Sequence, residues 1–360
     1  MLTPQAPVLL LLHHGLDNLS GKTGLTLLRY RPAPVLAVID PAHAGASLAA
    51  VTGIPRPVPV VASLAEALPL LPSEPAQRGT VVAVVGLAPS GGRLPAEVRA
   101  DVAAALAAGL SVASGLHTRL GDDPELAGLV QPGRWIWDLR REPPDLPVAS
   151  ARAAALPCRR LLAVGSDMSV GKMSACLELH AAAQRLGVDA RFVATGQAGI
   201  LIAGGGVPLD AVRVDYAAGA VEEAVLAAAE GAGGASWVLV EGQGSFCHPG
   251  STATLPLLRG SQPTDLLLVH RAGQTAIRNQ PHIPLPTLPA LIGAIEAVAA
   301  LGRPEGATAP RVRAIALNTG DLPADPAVAA VAATAAETGL PCFDPVRNGA
   351  EALWATLLAS

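Results

Sequence analysis

Between Leu161 and Ala175 the chain reads LLAVGSDMSVGKMSA. An apolar run enters a turn with glycines at 165 and 171, and Lys172 follows the second glycine. Those residue types suit one chemistry. Glycines let backbone N–H groups approach an anion, a helix start adds the positive end of its dipole, and a lysine adds a point charge. The usual phosphate loop has four residues between its glycines and a Ser or Thr directly after the lysine. Here five residues lie between Gly165 and Gly171, Met173 follows Lys172, and a hydroxyl comes only at Ser174. A phosphate cradle built from Gly165, Ser166, Asp167, Val170, Gly171, Lys172, Met173 and Ser174 is expected. Mg²⁺ is left open, because its customary hydroxyl ligand is missing unless Ser174 substitutes.

Further chemistry-bearing residues follow on three loops. WVLVEGQGSFCHPG (237–250) is an apolar run ending in Glu241, the position where a base or metal-orienting carboxylate faces a P-loop. Gln243, Ser245 and His248 follow on a glycine-rich loop directed at the same crevice. FVATGQAGILIAGGG (192–206) places Thr195 and Gln197 after a second strand, with Asp215 opening a later helix. LLLVHRAGQTAIRN (266–279) ends a strand in His270 and Arg271, a second acid–base or anion-binding pair, with Arg278 beyond. Cys247 beside His248 suggests a nucleophilic pair, but side chains adjacent in sequence rarely face each other. Thr195, Gln197, Asp215, Gln243, Ser245 and Arg271 are the candidate substrate contacts; Glu241, His248 and His270 are the candidate catalytic groups.

The elements that must position these residues are legible as alternation. PVLLLL (7–12), PVLAVID (34–40), PVPVVAS (57–63), TVVAVVGLA (80–88) and LSVASGL (110–116) are near-continuous apolar runs, as strands buried on both faces of a parallel sheet are. LPAEVRADVAAALAAG (94–109) is helical, so residues 1–145 are expected to form a doubly wound α/β domain. Its first turn, HHGLDNLSGKTG, is neither a dinucleotide fingerprint nor, lacking a glycine at the right distance, a second P-loop. The Pro-rich, charged segment 140–157 is expected to be a linker that trypsin opens at Arg140, Arg141 or Arg152. A second domain, 155–360, is expected to run strand–loop–helix (160–186), strand (190–195) and a Gly-rich loop (196–206). A helix (217–231), a strand (236–241) and a polar loop (242–262) come next. A strand (265–270), a helix (288–301), a strand (311–317) and a terminal helix complete it.

Bulk composition narrows the function classes. At 360 residues, 51% hydrophobic and 15% charged, the chain can bury two sizeable cores, built from Ala, Leu and Val because only 2% is aromatic. A net charge of −4 without like-charge blocks argues against nucleic-acid and anionic-membrane partners. Val8–Leu12 lacks the basic lead of a signal peptide, and no apolar run reaches the roughly 18 residues of a membrane helix. Cys158, Cys176, Cys247 and Cys342 are widely spaced, which suits a reducing cytoplasm and excludes a zinc knuckle. An Ala- and Leu-rich surface points to a homo-oligomer.

The loop around Lys172 resembles the dethiobiotin-synthetase type of P-loop, which also has five residues between its glycines, with Asp third and Val before the second; Gly165, Asp167, Val170, Gly171 and Lys172 match. More broadly, GSDMSVGKMS, ATGQAGILI, VDYAAGAVE, VEGQGSFCHP and LVHRAGQ together resemble a bacterial P-loop family long known only as a domain of unknown function. Members have been identified as D-glutamate N-acetyltransferases, and their genes often lie beside dipeptide epimerases. GLAPSGGRLP, SGLHTRLGDDPEL and DLRREPP resemble that family's first domain, so the likeness covers nearly the whole chain. It implies a Rossmann-like N-terminal domain followed by a P-loop NTPase-like three-layer α/β domain. It also implies acetyl transfer from acetyl-CoA, as co-substrate, to the amine of D-glutamate or a related D-amino acid. In the family the Met after the lysine is habitual. An ATP-dependent ligase or kinase of the dethiobiotin-synthetase kind, and a non-catalytic CoA- or nucleotide-binding regulator, remain as alternatives.

Overall fold

A computed structural model describes residues 2–89 and 92–359; part of GLAPSGGRLP therefore lies outside the described residues. The chain divides into two units. The first comprises residues 1–141 with 197–208, the second residues 142–196 with 209–360.

In the first unit β1 (Val8–Leu11), β2 (Val35–Ile39), β3 (Val60–Val61), β4 (Val82–Val85), β5 (Ser111–Ser114) and β6 (Ile136–Asp138) form one sheet. The order is β3-β2-β1-β4-β5-β6 and every pairing is parallel. This is the doubly wound order, with the turn of direction at β1. Its interior strands are fully buried, β1 over Val8, Leu9, Leu10 and Leu11, which explains their unbroken apolar runs. The helix Ala96–Ala107 matches the segment expected at 94–109. Asp40, just past β2, accepts hydrogen bonds from the N–H groups of His14 (3.0 Å), Leu16 (3.1 Å) and Ala42 (3.1 Å). Burial pushes its pKa up, but these bonds and one from His43 outweigh that and hold it below the ordinary value. A carboxylate spent on the loop after β1 is not available for a ribose hydroxyl, in keeping with the missing dinucleotide fingerprint.

Residues 196–206, expected as a Gly-rich loop, instead contain a helix, Gln197–Ala203, grouped with the first unit. Ala198, Ile200, Leu201 and Ile202 are all buried, so tertiary packing overrides the poor helix propensity of glycine and isoleucine. Gly204, at φ +78°, ends the helix in the left-handed conformation glycine tolerates.

In the second unit β7 (Arg159–Gly165), β8 (Ala190–Val193), β9 (Trp237–Val240), β10 (Asp265–Arg271), a hairpin of β11 (Ala276–Ile277) and β12 (Gln280–Pro284), β13 (Arg311–Asn318) and β14 (Cys342–Phe343) follow in sequence. The main sheet, again all parallel, has the order β14-β13-β10-β7-β9-β8. From β7 the chain runs to the edge strand β8, returns to β9 beside β7 and then crosses to β10 on the other side, so a ligand crevice opens at the carboxyl end of β7. Helix Lys172–Leu186 packs on this sheet in a core with Leu161, Leu239, Leu267 and the edge-to-face pair Trp237 and Trp354. The polar loop expected over 242–262 contains the helix Thr254–Ser261. The strands β6, β11, β12 and β14 escaped the sequence reading because none lies in a sustained apolar run.

Residues 142–157 are not a free tether. Pro147 lies so close to the helix Val214–Ala228 that a Cβ on Gly219 would sit 1.8 Å from its carbonyl oxygen. The buried Glu222 carboxylate accepts from the N–H groups of Ser150 (3.3 Å) and Arg152 (2.8 Å) and from Arg152 Nε (2.8 Å). Removing it releases these donors, which sit on exposed residues, to solvent. In Glu222→Ala the urea midpoint should therefore fall, and trypsin should cut after Arg152 faster than in wild type. Equal cleavage rates would mean that the segment is not held by this carboxylate. Among the described residues no helix is long and apolar enough to cross a membrane.

Candidate functional site

The loop after β7 carries the cradle, and close packing explains its glycines. A Cβ on Gly165 would lie 2.6 Å from Lys172 Nζ; one on Gly242 would lie 1.8 Å from Ala163 O and 2.9 Å from Lys172 Cδ. These two glycines leave a slot through which the Lys172 side chain passes. Gly171 has φ +112°, a conformation that strains any other residue. Lys172 is buried, and Nζ donates to the Asp167 carbonyl at 2.9 Å. Burial pulls its pKa down to about 8, the charges of Asp167 and Glu241 resisting.

The Asp167 carboxylate is itself surrounded by donors. Oδ1 accepts from Met168 N at 2.6 Å; Oδ2 accepts from Gln274 Nε2 at 2.7 Å and from Arg278 N at 2.9 Å. Asp167 thereby ties the cradle to the hairpin β11–β12, whose turn presents Arg278 as an exposed cation. Arg271 is already engaged. Its guanidinium pairs with Asp321 at 2.7 Å and donates to Ser169 O at 3.0 Å, so it buttresses the loop. On the other flank Asn318 Nδ2 donates to Val170 O at 3.0 Å. Gln274 and Asn318 were missed from sequence; Asn318 is the last residue of β13 and Gln274 lies shortly past β10, and that nearness to a strand end is the signal for them.

Ser166 joins three strand ends. Its Oγ is 2.8 Å from His270 Nδ1, and its carbonyl accepts from Ser245 Oγ at 2.8 Å. Ser245 Oγ also receives the Cys247 N–H at 3.0 Å, and Ser245 N donates to Ser251 Oγ at 3.0 Å. The Ser245 amide is thus already used. Burial lowers the His270 pKa to about 4, so the ring is neutral at pH 7. His248 Nδ1 accepts the Gly250 N–H at 3.1 Å. Burial raises the Cys247 thiol, which is therefore not a thiolate near neutrality, and the Cys–His nucleophile fails on that ground.

Glu241 lies just past β9 and is 1% exposed. Oε2 accepts from the N–H groups of Thr195 (2.8 Å) and Gly196 (3.2 Å), Oε1 from Gln243 Nε2 (3.1 Å), and the Glu241 carbonyl from Thr195 Oγ1 (2.8 Å). Burial pushes its pKa up to about 7; the two N–H donors, the Lys172 charge and Gln243 hold it from rising further. The charge of each group thus favours the charged form of the other.

The structure therefore gathers Gly165, Ser166, Asp167, Val170, Gly171, Lys172, Thr195, Glu241, Gln243, Ser245, His270 and Arg271 at the carboxyl ends of β7, β8, β9 and β10 and in the loops that follow them. It leaves out two of the expected substrate contacts. Gln197 belongs to the first unit, where its amide donates to Thr23 Oγ1 at 3.3 Å and accepts from Arg140. Asp215 is exposed in the first turn of Val214–Ala228, where Arg213 and not Asp215 is the cap residue. Met173 and Ser174 are half-buried in the first turn of the cradle helix. Successive helical residues point about 100° apart, so Ser174 does not aim where Met173 aims. Met173 thus stands where the Mg²⁺ site of a nucleotide-hydrolysing P-loop has its hydroxyl ligand, and both Glu241 oxygens already accept hydrogen bonds.

Two α/β units whose main sheets are parallel, one with the doubly wound order and one with a phosphate cradle and a buried acid at the neighbouring strand end, define a Rossmann-like plus P-loop protein. The chain belongs to the DUF1611 family. Residues 41–142 match its Rossmann-like N-terminal domain and residues 147–354 its P-loop domain, both described as domains of unknown function. A crystal structure of a DUF1611 family protein from Anabaena variabilis ATCC 29413 is similar at 51% identity with a TM-score of 0.90, over 99% of this chain and 100% of that one. A protein of Tritonibacter scottomollicae is 34% identical over 99% of both chains. A protein of a Pseudoalteromonas species is 35% identical over 79% of this chain and 83% of its own. Both are named D-glutamate N-acetyltransferase. The family and the order of its two domains agree with the expectation from the motifs.

Proposed function

We propose that this chain transfers the acetyl group of acetyl-CoA to the amine of D-glutamate, with Glu241 as the general base. The observation that carries the reading is the buried Glu241 carboxylate just past β9, held near pKa 7 with the Lys172 charge acting on it. The names of the two relatives support it. The amine nitrogen attacks the thioester carbonyl carbon, the C–S bond breaks, and CoA leaves as the thiol. An amine enters as an ammonium, so it must lose one proton before attack and a second as the amide forms. One of these protons ends on the CoA sulfur and one in solvent.

A base near pKa 7 is matched to that task. His270, with a pKa near 4 and its Nδ1 on Ser166, is a poorer acceptor at neutrality. The cradle and Lys172 hold the phosphates of CoA, for which a Mg²⁺ hydroxyl ligand is not needed. The exposed Arg278 is the cation placed to meet a substrate carboxylate.

The test is release of CoA thiol on mixing the protein with acetyl-CoA and D-glutamate, without ATP and with EDTA present. Turnover that needs both substrates and no nucleotide is expected. Turnover that appears only with ATP and Mg²⁺ overturns the transferase in favour of a ligase.

A further inference from the structure

The second unit holds a cavity of about 100 Å³ that the chemistry above does not use. It lies past the carboxyl ends of β13 and β14, on the side of the sheet where parallel α/β folds place ligands. Ala327, Val328 and Val331 form one wall, from the helix Ala324–Thr338. Thr319, in the turn after β13, and Arg347 and Asn348, after β14, form the other. Sites for whole small molecules span roughly 300–1,000 Å³, so this one takes the end of a ligand.

Its polar floor is rigid. Thr319 Oγ1 donates to Asp344 Oδ2 and accepts from Arg347 Nε at 3.0 Å. Arg347 Nη2 reaches Thr319 O at 3.0 Å and Leu322 O at 2.7 Å. Asp344 Oδ1 caps the short helix beyond it through Val346 N (3.1 Å) and Arg347 N (3.0 Å). These groups satisfy one another and leave little for a ligand. The Asn348 carboxamide differs: it is exposed, and its side chain makes no hydrogen bond among the described residues. A carboxamide presents a donor and an acceptor side by side, the complement of adenine's amino and ring-nitrogen edge. Guanine's oxygen and ring-nitrogen edge calls for two donors instead.

The cavity is also coupled to the cradle. Asn318 Nδ2 donates to Val170 O at 3.0 Å while its Oδ1 accepts from Gly320 N at 3.0 Å, so the turn that carries Thr319 is bonded to the phosphate loop. A ligand with its diphosphate on the cradle would carry its nucleoside past this turn. We infer that the cavity is the adenine subsite of the co-substrate, with the purine face on Val328 and Val331 and its amino edge on Asn348. The inference rests on the proposed function only in naming that co-substrate as acetyl-CoA; the subsite itself accepts any adenosine diphosphate end.

Two variants test it in the full-length protein. Val331→Trp fills the cavity, and Asn348→Ala removes the edge while leaving the exposed surface intact. Dissociation constants for acetyl-CoA, ATP, GTP and inorganic pyrophosphate are measured by calorimetry. Wild type should bind ATP more tightly than GTP. Each folded variant should lose about 10-fold or more in affinity for adenine-bearing ligands and none for pyrophosphate. The subsite is overturned if Asn348→Ala binds them as wild type does, if pyrophosphate weakens in parallel, or if wild type binds no adenine ligand. Should wild type bind ATP but not acetyl-CoA, with the loss still present in the variants, the subsite stands and the transferase reading falls.

Discussion

Replacing Glu241 by Gln should lower the rate of acetyl transfer by about 10²–10⁴-fold while changing the affinity for acetyl-CoA little, because a base acts on a proton that moves only in the transition state. Gln keeps the length and can still accept from Thr195 N and Gly196 N, so the loop geometry survives. The pH profile makes the assignment specific. Glu241 accepts a proton only when ionised, and its pKa stands at about 7. Wild-type kcat/KM should therefore fall about tenfold per pH unit below pH 7, and the variant's residual rate should lack that limb.

Stability should follow with the matching sign. A carboxyl whose pKa is raised on folding binds its proton more tightly in the folded state, so burial costs nothing below the unfolded value near 4.5. The penalty grows between about pH 4.5 and 7 and is full above, at most about 3 kcal/mol. Wild type should accordingly lose Tm relative to Glu241→Gln between pH 5 and pH 8. A variant with the wild-type rate and the wild-type pH limb would move the base to His248.

Lys172→Ala should weaken the phosphorylated ligand by about 1.5–3 kcal/mol, roughly 10- to 150-fold in dissociation constant, the scale of a charge-assisted hydrogen bond. Its ammonium is the buried cation aimed along the cradle between Gly165 and Gly242. A second consequence separates loss of the charge from general damage. The Lys172 charge holds the Glu241 pKa down. Removing it should shift the acid limb of the pH–rate profile to higher pH, whereas a merely misfolded loop would lower the rate at every pH. Unchanged dissociation constants for every CoA and nucleotide species tested would dispose of the cradle.

The cradle and its fold were legible in sequence because both are written locally. Gly165, Gly171 and Lys172 sit at fixed spacing between an apolar strand and a helix, and the strands of both sheets are runs buried on both faces. Glu241 was legible for the same reason, as an acid directly after WVLV. The segment 196–206 was misread because its three glycines signal a turn, while its helix depends on burying Ile200, Leu201 and Ile202. The helix Thr254–Ser261 was hidden likewise among small polar residues.

Residue types and their spacing establish which groups are present and in what order: a phosphate loop without the usual hydroxyl, an acid at a strand end, two histidines and a hydroxyl-rich loop. Their states arise on folding. Glu241 is pushed to about 7 by burial, and Thr195, Gly196 and Gln243 hold it from rising further through contacts that span up to 46 residues of chain. His270 is kept neutral by burial against Ser166, and Arg271 is spent on Asp321 and Ser169. Asp167 becomes the tie between cradle and hairpin through Gln274 and Arg278, more than 100 residues away. Residue type and spacing set which protons and charges are available. Desolvation and long-range hydrogen bonding set which of them can move at neutral pH, and these depend on neighbours that only the folded chain brings together.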